Sequence, residues 1–196
     1  MAQLDSDGGS LAPERRLLVK EGIRTLLEDL SEDASADASS TPERAPRPII
    51  EGVPGIVCVA GRNELDEAAA SLLVHLLRSE QSLGVVDALP AEALTSDRYR
   101  SALEDATVIC LSLISTPIST NSALRARYLV RRLYRSAPRA RVLVGFWRLD
   151  PGELAAAVAT IARPNTAVAT SLRNAVTSLQ LDPTMTRVSA AARSSS

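Results

Sequence analysis

The sequence is poor in the residues that do chemistry. It holds one histidine, two cysteines, one tryptophan and one phenylalanine among 196 residues, and aromatics make up only 3%. A catalytic or metal-bound imidazole needs a second ligand or an orienting carboxylate, and His75 has none at suitable spacing. Cys58 and Cys110 each sit inside an apolar run, which speaks against a disulfide scaffold. Such thiols behave as small buried hydrophobes and suit a reducing cytoplasm. No segment approaches the ~20 apolar residues of a membrane-spanning helix. The start, MAQLDSDGGSLAPE, lacks the charged and apolar regions of a signal peptide, so the chain reads as soluble. A strong charge of either sign is also missing, the net value being −1. That figure hides an asymmetry: residues 1–45 carry ten acids and five bases, and residues 46–196 thirteen acids and seventeen bases. An acidic leader precedes a mildly basic domain, far less basic than a nucleic-acid footprint.

What the chain does have is apolar strand patterns ending in small polar residues. They are IVCVA (56–60), GVVDAL (84–89), TVICLSLI (107–114), RVLVGFW (141–147) and TAVAT (166–170). Amphipathic helical patterns separate most of them, the signature of βαβ units winding a parallel sheet. The expectation is an α/β domain with a flavodoxin-like five-stranded parallel sheet, ordered 2-1-3-4-5 and covered by helices on both faces. With 45% apolar residues but few rings, its core must be built from Ala, Val, Leu and Ile.

Around that domain the composition shifts. Residues 1–12 read as a disordered tail. Pro13 suits a first helical position, and Val19, Ile23, Leu26, Leu27 and Leu30 form one stripe of a helix over 13–30. Gly22 weakens its interior by roughly 1 kcal/mol relative to Ala. Residues 31–54, rich in Ser, Ala, Asp and Pro, read as a disordered linker. The compact domain is 55–181, and 182–196 is a second disordered tail. Leu65, Ala69, Leu72, Leu73 and Leu76 are the expected buried face of its first helix. Asn121 and Ser171 are expected helix caps.

A sheet of this kind binds ligands beyond the carboxyl ends of its strands. Candidate ligand-binding residues there are Gly61, Arg62, Asn63, Ser112, Ser115, Thr116, Gly145, Phe146, Trp147, Thr170 and Ser171. The first turn has one glycine, so it is neither a dinucleotide fingerprint nor a hydroxyl-flanked flavin phosphate loop. An ordinary turn capped by Asn63 is the simpler reading. The third strand ends in hydroxyls rather than an aspartate, which excludes phosphoacceptor chemistry. Adjacent Phe146 and Trp147 suggest a pocket wall. Over 121–136, Ala126, Leu129, Val130 and Leu133 should pack on the sheet. Leu124, Arg125, Arg127, Tyr128, Arg131, Arg132 and Arg135 should face outward, either as a solvated face partly paired with the acidic leader or as a partner surface for phosphates, lipid headgroups or acidic protein. No nucleophile with a base can be named, so an enzyme is not expected.

Three blocks carry a resemblance: GIVCVAGRNELDEAAASLLVHLL, RYLVRRLYRSAPRARVLVGFW and AVATSLRNAV. Over about residues 14–30 and 55–180 the chain resembles the soluble C-terminal domain of autoinducer-2 exporter family permeases. There, helices and a low-complexity linker precede a cobalamin-binding-like α/β domain. Cobalamin-binding domains carry D-x-H-x-x-G after the first strand, S-x-L near the third and Gly-Gly after the fourth. Here the first place reads Gly61-Arg62-Asn63-Glu64-Leu65-Asp66, without the histidine that would ligate cobalt. Ser112 is followed by Ile114 in place of the Leu, and Gly145 by bulky Phe146. No cofactor is therefore expected.

The resemblance implies a non-enzymatic, cytoplasmic regulatory or ligand-sensing module, peripheral to the inner face of the plasma membrane. Its partners would be a membrane transporter or an anionic membrane surface, met through the arginine-rich helix, and a small-molecule ligand. The alternative is a stand-alone small-molecule or cofactor-binding protein with a degenerate cobalamin-binding fold.

Overall fold

Five short apolar runs become strands, and the three inner ones are almost wholly buried on both faces, which leaves no polar alternation to read in them. In the computed structural model, which describes residues 13–36, 55–79, 85–114, 120–147, 149 and 151–180, they are β1 (Ile56–Ala60), β2 (Val85–Leu89), β3 (Val108–Leu113), β4 (Arg141–Phe146) and β5 (Thr166–Ala169). All pairings are parallel and the order is β2-β1-β3-β4-β5. The fold is flavodoxin-like, as the sequence pattern predicts. Cys58 lies directly opposite Cys110 on the two central strands, and both thiols are free and buried. The hydrogen bond with Cys110, and then burial, push the Cys58 thiol well above its ordinary value.

Helices α2 (Glu64–Ser79), α3 (Arg100–Glu104), α4 (Thr120–Ser136), α5 (Pro151–Ile161) and α6 (Leu172–Gln180) connect the strands, with two 3₁₀ turns at Ala91–Leu94 and Asp97–Tyr99. The core divides by sheet face. On one face, Val57, Val59, Ile109, Leu111, Val142 and Val144 meet α4 through Ala126, Leu129, Val130 and Leu133, and α5 through Ala157 and Ile161. On the other, Ile56, Cys58, Cys110 and Leu143 meet Ala70, Leu73, Val74 and Leu77 of α2, and Ala175 and Leu179 of α6. α4 begins one residue ahead of Asn121, which places that residue in the first turn rather than at the cap.

The buried side of α2 differs from the leucine stripe expected for it. Asp66, Ala68, Ala69, Ala70, Leu73, Val74 and Leu77 are buried, whereas Leu76 is exposed and Leu65 and Leu72 are half-buried. The reason is a third layer. Helix α1 (Pro13–Ala36) lies against the outer side of α2, with Arg16 paired to Glu64 and Lys20 to Glu67. Because 16 meets 64 and 20 meets 67, the two helices run parallel. Ala68 and His75 share this side of α2 by helical spacing. α1 is also longer than the expected 13–30. It continues through Ser31-Glu32-Asp33-Ala34-Ser35-Ala36, whose Ala and Glu residues hold a helix despite the polar composition. The tails over 1–12 and 182–196 and the rest of the proposed linker, 37–54, lie outside the described residues. Among the described residues, no helix is long and apolar enough to cross a membrane.

Candidate functional site

At the carboxyl edge of the sheet the chain places one row of small residues: Ala60, Ser112, Gly145 and Ala169 face each other in register across four strands. Such a row leaves a trough above it, and the expectation was a ligand crevice. The trough holds the chain's own indole. Trp147 folds back over Gly145, where even an added Cβ would strike its ring. Its Nε1–H donates to Oγ of fully buried Ser112 at 2.7 Å. Its backbone N–H extends the ladder to the Leu113 carbonyl at 3.1 Å. Trp147 is thus a plug rather than a pocket wall. Phe146 is not at the crevice at all. Alternation along β4 turns it to the opposite sheet face, where it is 1% exposed in the core.

The turn after β1 is closed in a similar way. The Gly61 N–H donates to the Ser112 carbonyl at 2.9 Å, and the Leu113 side chain lies where a Cβ on Gly61 would be. A side chain here would have to displace the end of Leu113 and crowd the Ser112 carbonyl, which glycine avoids. Asn63 is a helix cap: its Oδ1 accepts from the amides of Leu65 and Asp66, both at 3.0 Å. Asp66 reaches back and accepts from the Asn63 N–H at 3.4 Å, completing a capping box.

Asp66 does more than cap. Only 2% exposed, it also accepts from the Ile114 N–H at 2.6 Å and from the Arg62 amide. It therefore joins the loop after β1 to the end of β3, at the point where the chain switches from one face of the sheet to the other. Amides at such a switch point are the groups an anionic ligand would use. Here an internal carboxylate already occupies them. Burial pushes its pKa up to about 6, against the three amides and the nearby Arg125 charge, which favour the ionised form. Asp66 was not among the candidates from sequence. The spacing Asn63-x-x-Asp66 is the signal that could have found it.

The remaining candidates separate. Ser171 Oγ caps α6 by accepting from Asn174 N at 3.1 Å, and Thr170 beside it is half-buried. The Arg62 side chain is exposed. Ser115 and Thr116 lie outside the described residues. Among the described residues no group of three metal-ligating side chains occurs.

The helix α4 carries the charged face. Leu124 and Tyr128 are 51% and 57% exposed, and Arg125, Arg127, Arg131 and Arg135 are exposed with them. Arg132 departs from the expected outward set. It sits on the flank of the helix, where it donates to the Leu94 carbonyl and, at 3.2 Å, to the Tyr128 hydroxyl. A shallow groove of about 320 Å³ runs between α4 and α5 beside Leu124, Arg127 and Arg163, and another of about 240 Å³ lies beside Arg100, Arg132 and Arg135.

These features define the class: a flavodoxin-like α/β domain whose usual ligand crevice is filled by its own side chains. No family model matches the sequence, and no curated protein matches it significantly. Among solved structures it is similar to a pilus assembly-related protein of Burkholderia pseudomallei K96243. The likeness has a TM-score of 0.41 and 16% identity, and spans 67% of this chain and 90% of that one.

Proposed function

We propose that the protein is a non-enzymatic regulatory module that docks through α4 onto an anionic surface at the cytoplasmic face of a membrane. This is the setting that the resemblance to exporter-permease tails implies, with a membrane transporter as the regulated partner. The observation that carries the reading is the α4 face itself: four exposed arginines interleaved with exposed Leu124 and Tyr128. Guanidinium groups fork onto phosphates and carboxylates, and the two apolar groups suit a headgroup boundary. The filled crevice points the same way, because it moves the functional surface away from the strand ends. A second reading, a stand-alone small-molecule-binding protein, would use the groove beside Arg100, Arg132 and Arg135, although Asp97 in its lining pairs with Arg100 and the Leu94 carbonyl accepts from Arg132.

Vesicle co-sedimentation tests the first reading. Wild type should bind vesicles rich in anionic lipid and not neutral ones. At about 1 kcal/mol per basic residue near such a surface, Arg127→Ala/Arg131→Ala/Arg135→Ala should weaken binding roughly a hundredfold. Its melting temperature should change little, as for other exposed sites. Equal binding by both proteins, or by neither, would overturn the reading. A small anion retained through purification and seen by native mass spectrometry would favour the second.

A further inference from the structure

Helix α1 turns one side to α2 and, among the described residues, leaves the other bare. Arg16 and Lys20 pair across to α2, and Ile23 and Leu27 on the same side are half-buried. More than a third of a turn away, Arg15, Leu18, Gly22, Leu26 and Asp29 share a second face, spaced three, four, four and three residues apart. Leu18 is 71% exposed and Leu26 61%, and Arg15 and Asp29 are exposed too. At the centre, a Cβ built on Gly22 would meet nothing within 4 Å.

The arrangement is symmetric about Gly22 in position and opposite in charge. Leucines stand four residues to either side. Seven residues out, about 10 Å along the axis, a base lies at one end and an acid at the other. We infer that this face is a homodimer surface on which two α1 helices pack antiparallel, crossing at Gly22. A two-fold axis through Gly22 sets residue i beside residue 44 − i of the second copy. Leu18 then meets Leu26, Leu26 meets Leu18, and Arg15 faces Asp29 at both ends, as an isologous contact requires. A parallel pairing would set Arg15 beside Arg15 and Asp29 beside Asp29. The glycine, a cost to a lone helix, lets the two backbones approach. The contact is small, so the dimer depends on protein concentration. α1 lies outside α2, on the sheet face opposite α4, so pairing leaves the arginine face free.

Sedimentation velocity of the full chain over a concentration series tests the inference. Wild type should show a monomer–dimer equilibrium. Arg15→Asp alone, which replaces two attractions by two repulsions, should weaken it by about tenfold or more, and Arg15→Asp/Asp29→Arg should restore it. Leu18→Ser/Leu26→Ser should be monomeric and should melt like wild type at concentrations where wild type is also monomeric, which shows that the domain is intact. A wild type that stays monomeric throughout would overturn the inference and leave the face to another partner. So would a dimer that survives Leu18→Ser/Leu26→Ser, or one indifferent to the charge swap.

Discussion

A buried carboxylate with a raised pKa makes the fold less stable as it ionises, and Asp66 should impose that signature. Its carboxyl is moved from 3.8 to about 6 by burial, with the amides of Ile114, Asn63 and Arg62 and the charge of Arg125 opposing the shift. Between these two values the native state holds a proton that the unfolded state has released, so stability must fall as pH rises. A shift of this size corresponds to about 3 kcal/mol, fully present as stabilisation below about pH 4 and lost above about pH 6. Other carboxyls titrate in the same window, so the measurement is a difference. Urea unfolding of wild type and Asp66→Asn would be followed between about pH 4 and pH 7. The Asn variant sets an –NH₂ against backbone donors, which adds a constant offset that drops out of the pH dependence. Wild type should lose about 3 kcal/mol relative to the variant across that range. Parallel curves would refute the reasoning. A wild type that gains on the variant as pH rises would mean that the amide cradle outweighs desolvation.

Two further outcomes are expected. Replacing Trp147 by Phe leaves the buried Ser112 hydroxyl without its donor and should cost about 1–3 kcal/mol. Adding Ser112→Ala should then cost less than it does in wild type, a coupling of about 1 kcal/mol in a double-mutant cycle; strictly additive costs would show that the hydrogen bond contributes nothing. Cys58 and Cys110 are buried side by side in the central strands and should stay silent to a thiol reagent until the chain unfolds. Stoichiometric labelling of the native protein would contradict that placement.

Much of the fold was legible because the strand signal is a continuous apolar run closed by turn residues, and all five runs became strands within a residue of their expected ends. Helix faces were harder. In α2 a leucine stripe was visible, but the residues on the sheet include alanines and a charged group, Asp66. A buried aspartate inverts the pattern that periodicity reads, and α1 adds cover that the 64–79 segment does not encode. The extension of α1 through SEDASA was hidden by a composition that suits a linker as well as a helix. The crevice was legible as a place but not as a state. Gly145 and Ser112 marked the trough, yet their sequence neighbours gave no sign that Trp147 would turn back into it. Arg132 was misassigned for a related reason: one flank position on α4 decides between solvent and the Leu94 carbonyl.

Trp147 is the only tryptophan in the chain, and it is pinned by Ser112 at the carboxyl edge of the sheet. All indole emission from this protein therefore comes from one known point. An occupant entering the trough must displace the ring and break its Nε1–H bond, changing the wavelength and polarisation of that emission. Contacts made at α4 or at the outer side of α1 leave the ring where it is. The molecule thus carries a native optical label that reports on its crevice and stays dark to its two exposed helical faces, so an event in the crevice can be told from one at either helix without adding a dye.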